Sequence, residues 1–121
     1  MSENIYSEFF LGFLGQIKLF HWYAIKYSEH IALDNLYISL SENIDKFMEI
    51  YIGKFNKQPI KSFIITMNAT NEINNMRTYL NTQIEMLKKI RSNCNKSPEL
   101  QNIIDEMYGN INQCIYILRF E

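Results

Sequence analysis

Apolar side chains recur at every third or fourth position in four long stretches of the chain, with polar side chains between them. Because an α-helix turns by about 100° per residue, this spacing gathers the apolar residues on one face of a helix. The four predicted helices run from about Ile5 to Ala24, from Ser28 to Ile52, from about Thr70 to Asn93, and from Ser97 to the region of Leu118. The pattern predicts an all-α chain.

Residues that favour helix ends support these boundaries. Ser28 is a predicted N-cap for the second helix, and Gly53 is the predicted residue at which that helix stops. Ser97, Pro98 and Glu99 give the fourth helix a capping hydroxyl, a proline in the first turn and an acid at the positive end of the helix dipole.

The apolar stripes of the four helices form the predicted core. Their members are Tyr6, Phe9, Phe10, Phe13, Ile17, Phe20 and Ala24; Leu33, Leu36, Tyr37, Leu40, Ile44, Phe47 and Tyr51; Ile73, Met76, Leu80, Ile84, Leu87, Ile90 and Cys94; and Leu100, Ile103, Ile104, Met107, Ile111, Cys114, Ile115 and Leu118. The first helix is also apolar elsewhere, which indicates burial by its own bundle and by a partner chain. Its Gly12 and Gly15 either admit another backbone closely or merely weaken the helix.

The connector between the second and third helices is unusually long, from Lys54 to about Ala69. It contains Pro59 and the apolar run Phe63 to Ile65, with room for a short helix or strand. Such a length exceeds a tight loop between neighbouring helices and predicts a crossing of the bundle. Two short hairpins joined by one long central crossover connector describe a ferritin-like four-helix bundle.

Composition limits the chain to one domain and excludes several classes of partner. The 121 residues are 47% hydrophobic and carry a net charge of −1, so we expect a single domain over 1–121. With no run of Lys or Arg and no long apolar segment, we expect no nucleic acid, no membrane and a cytoplasmic location. Cys94 and Cys114 are expected to be free core thiols, because helical rise separates them too far for a disulfide.

Four metal-ligand residue types share one face of the second helix, beside its core stripe: His30, Asp34, Asp45 and Glu49. The four positions fall within roughly 100° of one another around the helix axis. Along the axis, however, Asp34 and Asp45 are separated by about 16 Å, whereas ligand atoms lie about 2 Å from a metal. One helix therefore cannot place all four side chains around one metal. A two-fold axis through the middle of the helix would bring His30 and Asp34 of one chain opposite Asp45 and Glu49 of a second chain. The spacing therefore predicts a homodimer, or a higher homo-oligomer, with two equivalent shared sites.

His21, near the end of the first helix, is a further ligand candidate. His21 and His30 lie at equal distances from the turn between their helices, so the antiparallel pair brings them level. Imidazole and carboxylate ligands suit iron, with zinc or manganese as alternatives. The plainer interpretation is a set of polar side chains that border a core, with Asp45 and Glu49 solvated and His30 at a helix start.

These residues resemble the ferroxidase signature of the Dps proteins, the mini-ferritins. The shared features are the pair His21-Trp22 and the spacing His30-x3-Asp34-x10-Asp45-x3-Glu49, which cover less than a third of the chain. The resemblance implies that His21, His30 and Asp34 of one subunit meet Asp45 and Glu49 of its two-fold mate. It also implies that Trp22 intercepts radicals, although ordinary packing at a subunit interface is the favoured interpretation of Trp22. The same stretch looks closer still to a family of short, uncharacterised proteins of phages and giant DNA viruses, which would place the chain in the host cytoplasm or the virion.

Two classes of function follow from these features. The first is a Dps-like protein that binds Fe(II) at a shared site and oxidises it with peroxide or oxygen, with Trp22 as a candidate catalytic residue. The second is a non-enzymatic helical oligomer, a viral structural or host-interaction protein that keeps a vestigial metal site. The sequence contains no glycine-rich phosphate loop and no Cys/His spacing of a zinc site, so hydrolase and transferase functions have no support.

Overall fold

The computed structural model describes residues 3–56 and 62–120, which form four α-helices. They are α1 (Glu3–Tyr23), α2 (Tyr27–Phe55), α3 (Ile73–Asn93) and α4 (Pro98–Ile117). The described part of the chain contains no β-strand. The predicted all-α four-helix bundle is confirmed. No helix within the described residues is long and apolar enough to cross a membrane.

The four helices pack as two antiparallel hairpins, α1 with α2 and α3 with α4, and α2 also packs against α4. At one end of the bundle, Ser28 at the start of α2 donates a hydrogen bond to the carbonyl of Phe120 after α4 (3.4 Å). At the other end, Lys54 of α2 contacts Ser97 before α4. We call the first end, where α1 meets α2, the histidine end, and the second the distal end.

The predicted apolar stripes form one continuous core. The fully buried large side chains include Phe10, Phe13, Phe47, Leu33, Leu80 and Leu100, so all four helices contribute to it. Six of the predicted core residues are only partly buried: Phe9, Ala24, Tyr37, Ile73, Ile84 and Ile115. Cys94 and Cys114 are buried free thiols, as predicted, and burial raises the pKa of Cys114 to about 12.

The predicted ends of α2 are wrong by one to three residues. The helix starts at Tyr27 with Lys26 as N-cap, while the Ser28 hydroxyl is used outside the helix. It also continues through Gly53 and stops at Asn56, whose φ of 53° lies in the left-handed region. Asparagine is, after glycine, the residue that most readily adopts this conformation, so it can end a helix in the same way.

The start of α4 is confirmed at Ser97 and Pro98, although the Ser97 hydroxyl does not cap the helix. It accepts a hydrogen bond from Lys54 Nζ (2.9 Å), which also binds Glu99 (2.6 Å). The pKa of the Glu99 carboxyl is lowered, chiefly by this hydrogen bond from Lys54. These contacts join the last turn of α2 to the first turn of α4.

The described part of the connector, residues 62–72, is extended and passes over α1. Gln16 of α1 is buried and pairs twice with the backbone of Asn68: its amide nitrogen donates to the carbonyl (2.7 Å), and its amide oxygen accepts from the N–H (2.8 Å). Ile65 lies over Gly12 and Met67 over Gly15, so the two glycines admit the connector of the same chain. Neither a helix nor a strand forms in residues 62–72, and Pro59 lies outside the described residues.

The helix α3 begins three residues later than predicted, at Ile73 rather than Thr70. The Thr70 hydroxyl accepts hydrogen bonds from the N–H of Glu72 (3.1 Å) and from the side chain of Asn75 (3.3 Å), which forms a local turn before the helix. Threonine hydroxyls compete in this way with helical hydrogen bonding.

Candidate metal centre

His21 and His30 face each other at the histidine end of the bundle. Their rings are stacked, with centroids 3.9 Å apart and an angle of 25° between the planes. His21 lies in the last turn of α1 and His30 in the first turns of α2, so the short link between the helices brings them together. The two residues are level, as the antiparallel geometry predicts.

Each histidine is oriented by the backbone of the other. The Nδ1 atom of His21 lies 2.8 Å from the carbonyl oxygen of His30, and the Nδ1 atom of His30 lies 3.0 Å from the carbonyl oxygen of His21. A carbonyl oxygen can only accept a hydrogen bond, so both Nδ1 atoms carry the proton. In the neutral imidazole, both Nε2 atoms then keep a lone pair.

The crossed hydrogen bonds also have a local structural reason. The last carbonyls of a helix lack partners within it, and His21 is near the end of α1. His30 therefore satisfies one of these carbonyls. A histidine whose Nδ1–H binds a backbone carbonyl is also the arrangement found in most histidine ligands of metals, because this bond fixes the ring and its tautomer.

Asp34 lies one turn after His30 and completes a small polar group with His21. Its Oδ1 atom is 3.9 Å from Nε2 of His21 and 4.0 Å from Nζ of Lys18. The Lys18 ammonium also lies 4.0 Å from the centre of the Tyr37 ring. Asp34 and Lys18 are partly exposed, so a solvent ion can reach this group.

The sequence pattern did not single out Lys18, and it indicated Tyr37 only as a core residue, not as a neighbour of the candidate ligands. Lys18 is three residues before His21, and Tyr37 is three residues after Asp34, so both lie on the faces that carry the candidate ligands. This helical spacing is the sequence feature from which their position beside the candidate ligands could have been predicted. Lys18 supplies the positive charge beside Asp34 in the single chain.

Asp45 and Glu49 lie further along α2 and are exposed. They share one helix face, being four residues apart, but the helical rise separates Asp45 from Asp34 by about 16 Å. Within the described residues of one chain, no group of three or more His, Cys, Asp and Glu side chains could hold a metal ion. In the single chain, His21 lies close to His30 and to Asp34. The three do not form a metal-binding group by themselves. Asp45 and Glu49 lie apart from them.

Trp22 is next to His21 but is directed away from the core. It is 68% exposed, and its neighbours Tyr23, Ile25 and Tyr27 are 52%, 75% and 79% exposed. An exposed tryptophan in such company provides a large apolar contact surface. Two roles were expected of Trp22, radical interception and packing at a subunit interface. Neither role depends on contacts within the single chain.

Comparison with known proteins corrects the resemblance to Dps. No curated protein and no solved structure matches the chain. The family match is not to a Dps or ferritin-like family, so the expected assignment to Dps, and with it to the Dps-like viral proteins, is wrong. The ligand spacing that carried the resemblance covers less than a third of the chain, and the remaining helices matched only in their apolar pattern. Residues 21–118 match a family of unknown function, DUF5856, and the chain belongs to that family.

Proposed function

We propose that two copies of this chain form a two-fold dimer that binds Fe(II) at two shared sites and oxidises it with peroxide or oxygen. The observation that carries the proposal is the crossed pair of hydrogen bonds that orients His21 and His30 and leaves both Nε2 atoms available. Asp34 lies beside His21 Nε2 and adds a carboxylate. In the dimer, Asp45 and Glu49 of the second copy complete each site.

The spacing along α2 supports a single two-fold axis for both ligand pairs. Asp34 and Asp45 are equidistant from the point between Ser39 and Leu40, near the middle of α2, and so are His30 and Glu49. An antiparallel pair of α2 helices related by an axis at this point therefore places Asp34 opposite Asp45 and His30 opposite Glu49. Both sites of the dimer arise from one isologous contact.

The exposed surface of α2 supports the same contact. Ile31 and Ile38 lie on the ligand face and are 36% and 52% exposed, although both are large aliphatic residues. In the two-fold arrangement Ile31 comes opposite Met48 of the second copy, and the two Ile38 side chains lie close to the axis. Association would remove this apolar surface from water.

The position of Lys18 supports a site in which a metal cation replaces the Lys18 ammonium beside Asp34. In the single chain the Lys18 ammonium lies beside Asp34 and against the ring of Tyr37. A divalent cation at Asp34 would repel this ammonium, which can move fully onto the Tyr37 ring, where the cation–π contact remains. Lys18 thus balances the charge of Asp34 when no metal is bound.

The chemistry requires a bound Fe(II) that an oxidant can reach. Mixed imidazole and carboxylate ligands suit iron. Each Fe(II) loses one electron, and peroxide takes up two electrons and two protons to become water, so two iron ions are oxidised for each peroxide. Partial exposure of Asp34 leaves access for the oxidant.

A second candidate function is a non-enzymatic helical oligomer, and a separate observation favours it. Trp22, Tyr23, Ile25 and Tyr27 form an exposed apolar surface at the histidine end. Such a surface is typical of a contact between proteins. In this alternative the dimer forms, but the polar residues of α2 bind no metal that turns over.

Complementation between two variants tests the shared site. We would mix chains carrying Asp34→Ala with chains carrying Glu49→Ala, purify the heterodimer anaerobically, add Fe(II), and measure bound iron and ferric absorbance after addition of peroxide. Both lesions fall on the same site, so the other site stays intact and the heterodimer should recover half of the wild-type iron. Each homodimer should have lost binding.

The control is Glu106→Ala, which removes an exposed carboxylate of α4 and should leave iron uptake unchanged. Recovery with oxidation supports the proposed function. Binding without oxidation leaves a metal-binding dimer and favours the second candidate. Loss of binding in the heterodimer, or wild-type binding in either homodimer, would show that the two chains do not share a site.

A further inference from the structure

A cleft runs along the connector at the histidine end, on the side of α1 that faces α3. It consists of two adjoining cavities of about 450 Å³ and 260 Å³, which share Ala69 and Thr70 as lining residues. Phe20 of α1 and Tyr79 of α3 line the larger cavity, and Tyr23 lines the smaller one. We call it the connector cleft. Its larger cavity lies within the range of about 300–1,000 Å³ typical of small-molecule sites.

Aromatic rings form one wall of the connector cleft. The Tyr79 ring packs edge-on against Phe20 and Phe13, with centroid distances of 5.3 Å and 6.0 Å. Phe20 is fully buried, whereas Tyr79 is partly exposed. These contacts fix the Tyr79 ring and offer a rigid apolar surface to a flat ligand.

The Tyr79 hydroxyl has no hydrogen-bond partner within the described residues, and burial alone raises its pKa above the usual range. A tyrosine hydroxyl is protonated at neutral pH, so it can donate a hydrogen bond to an acceptor. A ligand in the cleft is in a position to supply that acceptor.

The rim of the cleft is polar but uncharged. It includes Asn68, Thr70, Asn75 and Thr78. The Asn75 amide nitrogen donates to the Thr70 hydroxyl (3.3 Å) and to the Glu72 carboxylate (3.3 Å), and its amide oxygen is an acceptor. Asn68 is held by its backbone to Gln16, which leaves its side-chain amide for other contacts. Among the residues that the structure describes, no Asp, Glu, Lys or Arg lines either cavity.

We propose that the connector cleft binds a small, uncharged, planar heterocycle of the nucleobase type. The heterocycle packs against the edge of the Tyr79 ring, which Phe20 and Phe13 hold in place, and accepts a hydrogen bond from the Tyr79 hydroxyl. The asparagine and threonine side chains of the rim match the donors and acceptors on the edge of such a ring. A phosphate group finds no cation here, so the cleft selects the nucleoside over the nucleotide. None of these residues belongs to the candidate metal centre, so this site is independent of the proposed iron chemistry.

Isothermal titration calorimetry with adenosine, uridine and adenosine monophosphate tests this proposal on the full chain. At least one nucleoside should bind saturably at millimolar concentration or below, and adenosine monophosphate should bind more weakly than adenosine. Tyr79→Phe keeps the ring contacts and removes the hydroxyl, so the affinity should fall about tenfold. Ala69→Phe places a large side chain between the two cavities and should abolish binding.

The matched control is Tyr116→Phe, because Tyr116 is an exposed tyrosine of α4 that does not line the cleft. Its affinity should equal that of the wild type. Circular dichroism and thermal unfolding establish that each variant is folded. The proposal is overturned if neither nucleoside binds the folded wild type, if binding survives Ala69→Phe unchanged, or if the monophosphate binds as tightly as adenosine.

Discussion

The charge balance around Asp34 depends on one lysine of α1. Lys18 Nζ lies 4.0 Å from Asp34 Oδ1, and both side chains are partly exposed. At this distance and in water, two unit charges interact by about 1 kcal/mol, so the pair contributes little to stability. Its effect on a bound divalent cation is larger, because the repulsion acts on a double charge.

Replacement of Lys18 should therefore tighten metal binding. We expect Lys18→Met, which keeps an apolar stem against Tyr37, to lower the dissociation constant for Zn(II) by roughly threefold to tenfold. Zn(II) is the probe because it does not change its oxidation state, so binding is measured without turnover. Lys88→Met, on an exposed lysine of α3, is the control and should have no effect. Weaker binding in Lys18→Met would mean that the ammonium holds Asp34 in place.

The residues of the candidate centre differ in how far the sequence predicts them. Equal distance from a turn predicts that His21 and His30 lie level, because it depends only on antiparallel packing. The crossed hydrogen bonds between their rings and backbones depend on side-chain rotation and on the exact end of α1, which no spacing rule defines. The position of Asp45 and Glu49 opposite these residues depends on a second chain and remains a prediction.

Helix α2 shows how a contact distant in sequence overrides a local stop signal. Gly53 predicts a helix end, but the helix continues to Phe55 because Lys54 binds Ser97 and Glu99, which follow it by more than 40 residues. The link from α2 to α4 holds the last turn in helical geometry. Apolar periodicity predicts the body of each helix well, because burial acts on every turn of it.

Substitution at the end of α2 tests where the helix stops. A Cβ at Gly53 would meet no atom within 4 Å, and its backbone is helical, so Gly53→Ala should stabilise the protein by about 0.5–1 kcal/mol. Asn56→Ala should destabilise it by about 1 kcal/mol, because alanine adopts the left-handed conformation with greater strain. Urea denaturation measures both. Had the helix ended at Gly53 in the left-handed region, Gly53→Ala would be the destabilising change.

The sequence predicts the length of the connector but not its path along the bundle. Its length predicts a crossing of the bundle, and the described residues 62–72 do pass along α1. Gly12 and Gly15 suggested a close approach by a second backbone or a weakened helix. The chain instead places its own Ile65 and Met67 there and fixes the segment through Gln16. The sequence alone does not reveal which backbone segment a buried glutamine will bind.

At the scale of the whole molecule, two groups of exposed apolar residues bear on the proposed dimer. Ile31 and Ile38 lie along the ligand face of α2, whereas Trp22, Tyr23, Ile25 and Tyr27 surround the turn at the histidine end. Single exposed apolar residues are common on proteins, but adjacent ones on one face indicate a contact. The proposed dimer covers the first group directly, and it brings the second group of one copy towards the last turns of α2 of the other.

Ile38 is the residue at which the dimer can be tested most directly, because the proposed two-fold axis passes close to it. Each Ile38→Asp dimer would carry two carboxylates near the axis. Loss of the apolar contact and burial of each acid should cost about 2–3 kcal/mol per chain, so the dissociation constant should rise by at least a thousandfold. Sedimentation velocity at micromolar concentration should then show a monomer with unchanged helical content. Ile64→Asp, at an 87% exposed site of the connector, is the control and should remain dimeric.

The same Ile38→Asp variant separates the dimer from the metal chemistry, since it leaves all five candidate ligands in place. If two chains share each site, the monomer keeps His21, His30 and Asp34 but lacks the carboxylates of its mate, so Fe(II) uptake should fall with the dimer. Uptake is measured across a dilution series of wild type and variant, and the two curves should coincide when plotted against the fraction of dimer. Full uptake by a monomer would mean that the histidine end binds iron alone, with Asp45 and Glu49 as solvated surface residues.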